Sequence, residues 1–310
     1  MSAPQSITRI RAVLVGVDRY ERDDVPTLRG CVNDVALVRM LLKQYFDVPN
    51  EDLRVVVNER ATKQNILHRL EDMIQRSQPG EVLVFYFSGH GSQIRDRDGD
   101  ELADSLDEVI CPYDMDWDRR TYISDDDIEA RFATLPPEVL LEAFFDCCFW
   151  GAGPRAIAPR PSAAALRPDV RHLPPPFDLA ARFEGEEHRL ARRRLGYSES
   201  FTQLRNVAWG AAQEGQESAE DFFDGQVNGI FTYWGCRFIA ENIERIDKLE
   251  YTREELLEEV RGYLHQLGYT QTPELSAPSE LRAWAPLLPD PEWGAWVEVG
   301  SLGPGRTQRR

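Results

Sequence analysis

The stretch Val82-Leu83-Val84-Phe85-Tyr86-Phe87-Ser88-Gly89-His90-Gly91 decides the fold. Six residues run apolar without interruption before serine and glycine end the run. A strand with no polar alternation is covered on both faces, which is the habit of a parallel sheet between helices. The neighbouring sequence agrees. Ala12–Val17, Leu53–Val57 and Val139–Phe145 read as further buried strands. Between them, Val32–Phe46 places Val35, Val38, Leu41 and Leu42 at helical spacing, and a helix opening near Thr62 carries Ile66, Leu67, Leu70, Met73 and Ile74. Farther on, Val207–Ala212 reads as a strand, and helices are expected over Gly229–Ile243 and Thr252–Leu267. Ser124 with Asp127, and Thr252 with Glu255, are spaced as capping boxes. Strands alternating with helices predict an α/β fold with a mostly parallel central sheet. Ligands of such sheets gather beyond the carboxyl ends of the strands.

Composition bounds the function. The 310 residues are 42% hydrophobic and 29% charged, enough apolar material for a sizeable core. A net charge of −17 argues against nucleic acid or an anionic membrane as partner and favours basic peptides or cations. The cysteines at 31, 111, 147, 148 and 236 form no CxxC pair and no disulfide framework, as expected of a reducing compartment. The apolar run at Ala12 to Val17 is too short for a signal peptide or a span, so a cytoplasmic monomer is expected. Lys43, Lys63 and Lys248 are the only lysines beside many arginines, as in a GC-rich bacterial genome.

Two short segments follow two of the buried strands directly: Ser88-Gly89-His90-Gly91, and Asp146-Cys147-Cys148. Both therefore fall at one edge of the sheet. A histidine between glycines has open surroundings, and a cysteine beside it can be deprotonated to the attacking thiolate. The backbone N–H groups of Gly91 and Cys148 are candidates for holding the oxyanion. Phosphate loops, dinucleotide fingerprints, HExxH and GxSxG motifs do not occur.

These residues resemble the metacaspases and their prokaryotic relatives in the caspase clan. The likeness is carried by Gly30-Cys31-Val32-Asn33-Asp34, Tyr86 to Gln93, the acidic stretch Asp96–Glu108, Ser124 to Asp127, Phe145 to Cys148, and Tyr269-Thr270-Gln271-Thr272-Pro273. It implies a caspase-like fold, with His90 and Cys148 as catalytic dyad and Cys147 as bystander. It also implies cleavage after arginine or lysine, with Cys31, Asp34, Ser88 and Asp146 forming the substrate pocket. No cofactor is required for the chemistry. A calcium site is implied at Asp107, Asp125 and Asp126, although Pro154 or Arg155 stands where the family has a fourth carboxylate. Asp96, Asp98, Asp100 and Asp107 themselves fail as an EF-hand loop, because Glu101 stands where glycine is required. After the cysteine the family continues His-Ser-Gly; here Phe149-Trp150-Gly151 follows, and two aromatics beside the thiol keep open a pseudoprotease that serves as a binding module.

From Ala152 to Leu195 the texture changes to proline, alanine and arginine, with nine arginines against five acidic residues. The whole chain, 1–310, is expected to form one peptidase domain: 1–151 a large-subunit region, 152–197 an activation linker, 198–310 a small-subunit region. An exposed linker rich in arginine is what such a cleft accepts. Arg155, Arg160, Arg192, Arg193 and Arg194 are the candidate cut sites, for self-processing or for an upstream protease. Regulated proteolysis, in cell death or defence, is the implied role.

Overall fold

The computed structural model describes residues 9–95, 106–148, 170–176, 206–213 and 216–288. A six-stranded sheet runs through its centre. Its strands are β1 (Ile10–Gly16), β2 (Leu53–Val57), β3 (Val82–Ser88), β7 (Leu140–Asp146), β8 (Asn206–Gly210) and β11 (Glu274–Ser276), in the order β11-β8-β7-β3-β1-β2. All neighbours are parallel except β11, which lies antiparallel on β8. A second, three-stranded antiparallel sheet holds β4 (Gly91–Arg95), β5 (Leu106–Ile110) and β6 (Ile123–Ser124). A hairpin joins β9 (Glu220–Phe223) to β10 (Gln226–Gly229).

Helices cover both faces of the main sheet, and the period-2 alternation of each strand assigns its residues to them. Ala12, Leu14, Val84 and Tyr86 enter one core layer, with α1 (Cys31–Tyr45), α4 (Ile230–Glu241) and α5 (Arg253–Gln266). Val13, Val15, Leu83, Phe85 and Phe87 enter the other, with α2 (Lys63–Gln75) and α3 (Asp125–Phe132). Val35, Val38, Leu41 and Leu42 are buried as their spacing predicts, and so are Ile66, Leu67, Leu70, Met73 and Ile74. Both capping boxes form, Ser124 with Asp127 and Thr252 with Glu255. The fold is therefore α/β and mostly parallel, as expected. No helix among the described residues is long and apolar enough to cross a membrane.

Register is what positions the chemistry. Gly16 is level with Ser88, and Ser88 with Asp146. The strands end together, so His90 and Cys148, each two residues past a paired position, emerge side by side.

Candidate active site

His90 is fixed from three sides. Its backbone N–H donates to the Tyr20 hydroxyl at 2.8 Å, the Tyr20 ring lies 5.2 Å from the imidazole, and Nε2 lies 2.8 Å from the Pro26 carbonyl. A carbonyl only accepts, so Nε2 carries the hydrogen and Nδ1 keeps its lone pair. Nδ1 is buried without a hydrogen-bond partner among the described residues. That leaves one ring nitrogen able to take a proton. Burial pulls the imidazole down from 6.5 to about 4, against the pull of the Pro26 carbonyl. Burial pushes the Cys148 thiol upward in turn. The resting pair is therefore neutral thiol beside neutral imidazole. The Cys148 sulfur accepts the Ser218 N–H at 2.8 Å, and its own hydrogen lies toward the Ser218 carbonyl at 3.3 Å.

The cleft between them is filled by the chain itself. Residues 170–176 pass through it, and the Arg171 carbonyl accepts the N–H of Gly91 at 2.9 Å and of Cys148 at 3.3 Å. These are the two amides expected to hold an oxyanion. They converge because residue 91 is glycine: a Cβ there would stand 2.2 Å from the Cys148 carbonyl oxygen.

The Arg171 guanidinium drops into a closed pocket. It lies 2.7 Å from Asp34, 2.9 Å from Asp146 and 3.5 Å from Glu220, with all four side chains at zero exposure. Ser88 donates to Asp34 at 2.9 Å, as do Asn228 at 3.0 Å and the Gly229 N–H at 2.8 Å. Asp146 accepts from the Ser218 hydroxyl at 2.8 Å and from Thr232. Cys31, the first residue of α1, is buried close enough for the guanidinium charge to act on its thiol. The N-terminus of α1 is capped by Asp18, whose carboxylate accepts the Cys31 and Val32 N–H groups and leaves Asp34 to the pocket. Three carboxylates face one guanidinium. Burial pushes Asp34 and Glu220 upward, against the pull of Arg171.

Of the sequence candidates, the structure brings together His90, Cys148, Gly91, Asp34, Ser88, Asp146 and Cys31. It adds Arg171, Glu220, Ser218, Gly229, Tyr20 and Pro26. A signal existed for two of these. Asp224-Gly225 is a hairpin turn dipeptide, and both residues have positive φ, 46° and 89°. Read as a turn, it pairs Glu220 with Gly229, and both line the pocket. A Cβ on Gly229 would stand 2.2 Å from Asp146 and 2.5 Å from Arg171.

Asp125 and Asp126 lie in the first turn of α3, and Asp107 lies in β5, two residues before Val109, the partner of Ser124. The backbone thus gathers the three positions, with the Asp107 side chain outside the described residues. No group of three or more metal-ligating side chains occurs among the described residues. Asp96, Asp98 and Asp100, Phe149, Trp150, Pro154 and the arginines 155, 160, 192, 193 and 194 also lie outside them.

A cysteine and a histidine at the ends of adjacent parallel strands define the caspase-like class of α/β fold. Comparison bears this out. Residues 10–153 match the metacaspase, peptidase C14 domain family. Metacaspase-1A of Neurospora crassa is 27% identical over 298 residues, covering 87% of this chain and 63% of its own length. Among solved structures, protein GSU0716 from Geobacter sulfurreducens superimposes with a TM-score of 0.62 at 16% identity, over 91% of this chain and 99% of its own. Caspase-1 from Spodoptera frugiperda does so with a TM-score of 0.50 at 12% identity, over 87% of each chain. The fold is therefore caspase-like, and residues 10–153 are similar to the metacaspase peptidase domain. The chain spans between about a third and two thirds of the length of the first curated relatives it matches.

Proposed function

We propose that this chain is a cysteine endopeptidase that hydrolyses peptide bonds after arginine, with Cys148 as nucleophile and His90 as base. The single observation that supports it is Arg171, with its guanidinium among Asp34, Asp146 and Glu220 and its carbonyl on the amides of Gly91 and Cys148. The arginine stands where the substrate's would. Nδ1 of His90 takes the thiol proton, the sulfur attacks the carbonyl carbon, and the two amides hold the oxygen as it gains charge. His90 then returns the proton to the leaving amine. Buried carboxylates of this number reject aspartate and neutral residues, since an unpaired charge there costs several kcal/mol, about 3–5. Lysine reaches the same charges without the bidentate fork and ranks below arginine.

A cytoplasmic monomer acting on basic sites of proteins in regulated proteolysis fits this reading, as does an activating cut in the linker. Calcium belongs to the reading as a modulator. Asp107, Asp125 and Asp126 would offer it oxygen donors, fewer than the six to eight it prefers, so weak binding is expected. Millimolar calcium raises the cleavage rate over chelator in this reading, and equal rates remove calcium from it.

The alternative is a scaffold in which Arg171 is a permanent plug; the neutral thiol–imidazole pair favours it. Fluorogenic peptides ending in arginine, lysine and aspartate, with an arginyl activated ketone as thiol label, separate the two. Arginyl hydrolysis with labelling at Cys148 supports the peptidase. A protein inert to both is the scaffold.

A further inference from the structure

The two helix layers part at β2, the edge strand of the main sheet, and four arginines line the groove there. Arg39 comes from α1 on one face and Arg69 from α2 on the other. Arg54 comes from β2 itself, and Arg60 from the short helical turn Asn58–Arg60 that follows it. The groove encloses about 460 Å³, the size of a small-molecule site. Every other arginine whose side chain is described lies within 4.0 Å of a carboxylate; these four do not. The carboxylates nearest them in sequence are turned elsewhere. Asp52 holds Arg9 and Arg11, Glu59 holds Arg19, Glu71 holds Arg131, and Asp72 holds Arg76.

What anchors the guanidiniums is neutral. Nη2 of Arg39 donates to Asn50 Oδ1 at 3.0 Å, and Nη2 of Arg60 to the Val55 carbonyl at 2.9 Å. Nη1 of Arg54 donates to the Glu51 carbonyl at 2.7 Å and the Leu53 carbonyl at 3.3 Å. Arg69 has no partner among the described residues. A guanidinium carries five N–H donors, so each anchored one is aimed while most of its fork stays free. The same bonds occupy main-chain acceptors of the edge strand at Leu53 and Val55. The groove thus offers donors and positive charge, whereas an added peptide strand needs acceptors as well.

We propose that this groove binds a small polyanion with adjacent phosphate groups, a polyphosphate chain either free or on a nucleoside. Charge density decides the class. Four positive charges in one groove call for several negative charges on neighbouring atoms, and planar forks take phosphate oxygens two at a time. The net charge of −17 repels anions at long range, so the attraction is local and weakens with salt. In the sheet, β1 and β3 stand between β2 and β7, which carries the cysteine. The site therefore lies apart from the Cys148 cleft and stands whether or not the peptidase reading does.

The test is calorimetric titration of the full chain with inorganic tripolyphosphate, ATP, orthophosphate and a polyglutamate peptide, without divalent metal. Tripolyphosphate and ATP should each bind at one site, roughly tenfold or more tighter than orthophosphate or the peptide. Arg39→Ala and Arg69→Ala should each weaken tripolyphosphate by about tenfold, the worth of one charge-assisted contact. Arg69 has no partner to lose, so the fold is not at risk in that variant. Arg69→Lys, which keeps the charge without the fork, recovers part of the loss. Arg237→Ala, which removes an arginine paired with Glu241, leaves the affinity unchanged.

Equal affinities for tripolyphosphate and ATP assign recognition to the phosphates, a tighter ATP adds a contact to its nucleoside, and a tighter tripolyphosphate assigns the site to the free chain. All three support the proposal. Absence of saturable binding overturns it. So does binding that Arg39→Ala and Arg69→Ala leave untouched, since the anion then sits elsewhere. Orthophosphate matching tripolyphosphate would reduce the groove to a contact for one anion, and polyglutamate matching it would make the groove a surface for acidic peptides. Either result overturns the assignment.

Discussion

Arg171 and Arg253 are both fully buried, and both pair with carboxylates of β7, Asp146 and Glu142, four residues apart on one face of the strand. They are otherwise opposites. Arg253 sits on α5 and meets one partner: Nε and Nη2 hold Glu142 at 3.1 and 2.8 Å, and Nη1 donates to the Leu281 carbonyl. Glu142 is completed by the Trp209 indole and the Leu287 N–H. One positive charge meets one negative charge, and every bond comes from a regular element or a tight turn. Around Arg171 three carboxylates face one guanidinium, and that guanidinium arrives on a strap. A balanced buried pair is architecture. The unbalanced one, in the proposed reading, is the seat of a substrate cation, held here by Arg171 of the chain itself.

Four experiments break or sharpen this contrast. The largest effect is expected from Asp146→Asn, which keeps hydrogen-bonding capacity and removes charge. Hydrolysis of arginyl peptides should fall by about a thousandfold, the worth of a desolvated charge partner, while thermal unfolding moves little. A fall in stability with activity kept would make Asp146 a second Glu142. Next is Arg253→Met, which strands Glu142 and should cost about 3–5 kcal/mol of stability. Denaturant titration measures it, and kcat/KM of the folded protein should not change. Pairing it with Glu142→Leu should restore most of the loss; a double variant as unstable as the single would show that the pair is not merely architectural.

The third experiment uses pH. The buried His90 imidazole, held near 4, is harder to protonate folded than unfolded. The unfolded chain therefore binds the proton first as pH falls below about 6.5, and stability drops until about pH 4, by roughly 3 kcal/mol in all. Asp34 and Glu220, both raised, act with opposite sign, gaining stability as pH falls. The measurement is thus the difference between Cys148→Ala and Cys148→Ala/His90→Gln across that window. Parallel curves would mean that the imidazole is not buried by the strap. The smallest effect is Gly229→Ala. Its new methyl meets Asp146 and the guanidinium, so KM for arginyl peptides should rise about tenfold through overpacking, with lysyl peptides, slimmer at the tip, less affected. Equal losses would place the clash in the backbone instead.

Much of this was legible in the sequence because the signals are local. An all-apolar run closed by Ser88-Gly89 or by Asp146 marks a strand and the edge where it ends, and two such edges place His90 and Cys148 together. The helix faces and both capping boxes follow from spacing alone. The receptor side of the pocket is less local. Glu220 is one acidic residue in a chain crowded with them, and only its cross-strand pairing with Gly229 gives it a role. Arg171 is harder still: nothing beside it distinguishes it from eight other arginines of the linker, because what singles it out is the seat of its carbonyl and its guanidinium on residues distant in sequence. The linker was expected to be exposed and irregular; in residues 170–176 the chain is instead extended and threaded into the cleft.

The pocket is assembled from three places along the chain: Asp34 near the start of α1, Asp146 at the end of β7, and Glu220 with Gly229 in the hairpin that precedes α4. A polypeptide is made from its N-terminus onward, and domains form as their parts emerge. On a ribosome, the residues proposed here as nucleophile and base are therefore made before those of the proposed arginine receptor are complete. In that reading, a nascent chain that has reached Cys148 carries the thiol and imidazole but lacks part of the means to choose a bond. By the time the hairpin emerges and selectivity is complete, Arg171 is already in existence, upstream and waiting, as the nearest cation to fall into the finished pocket.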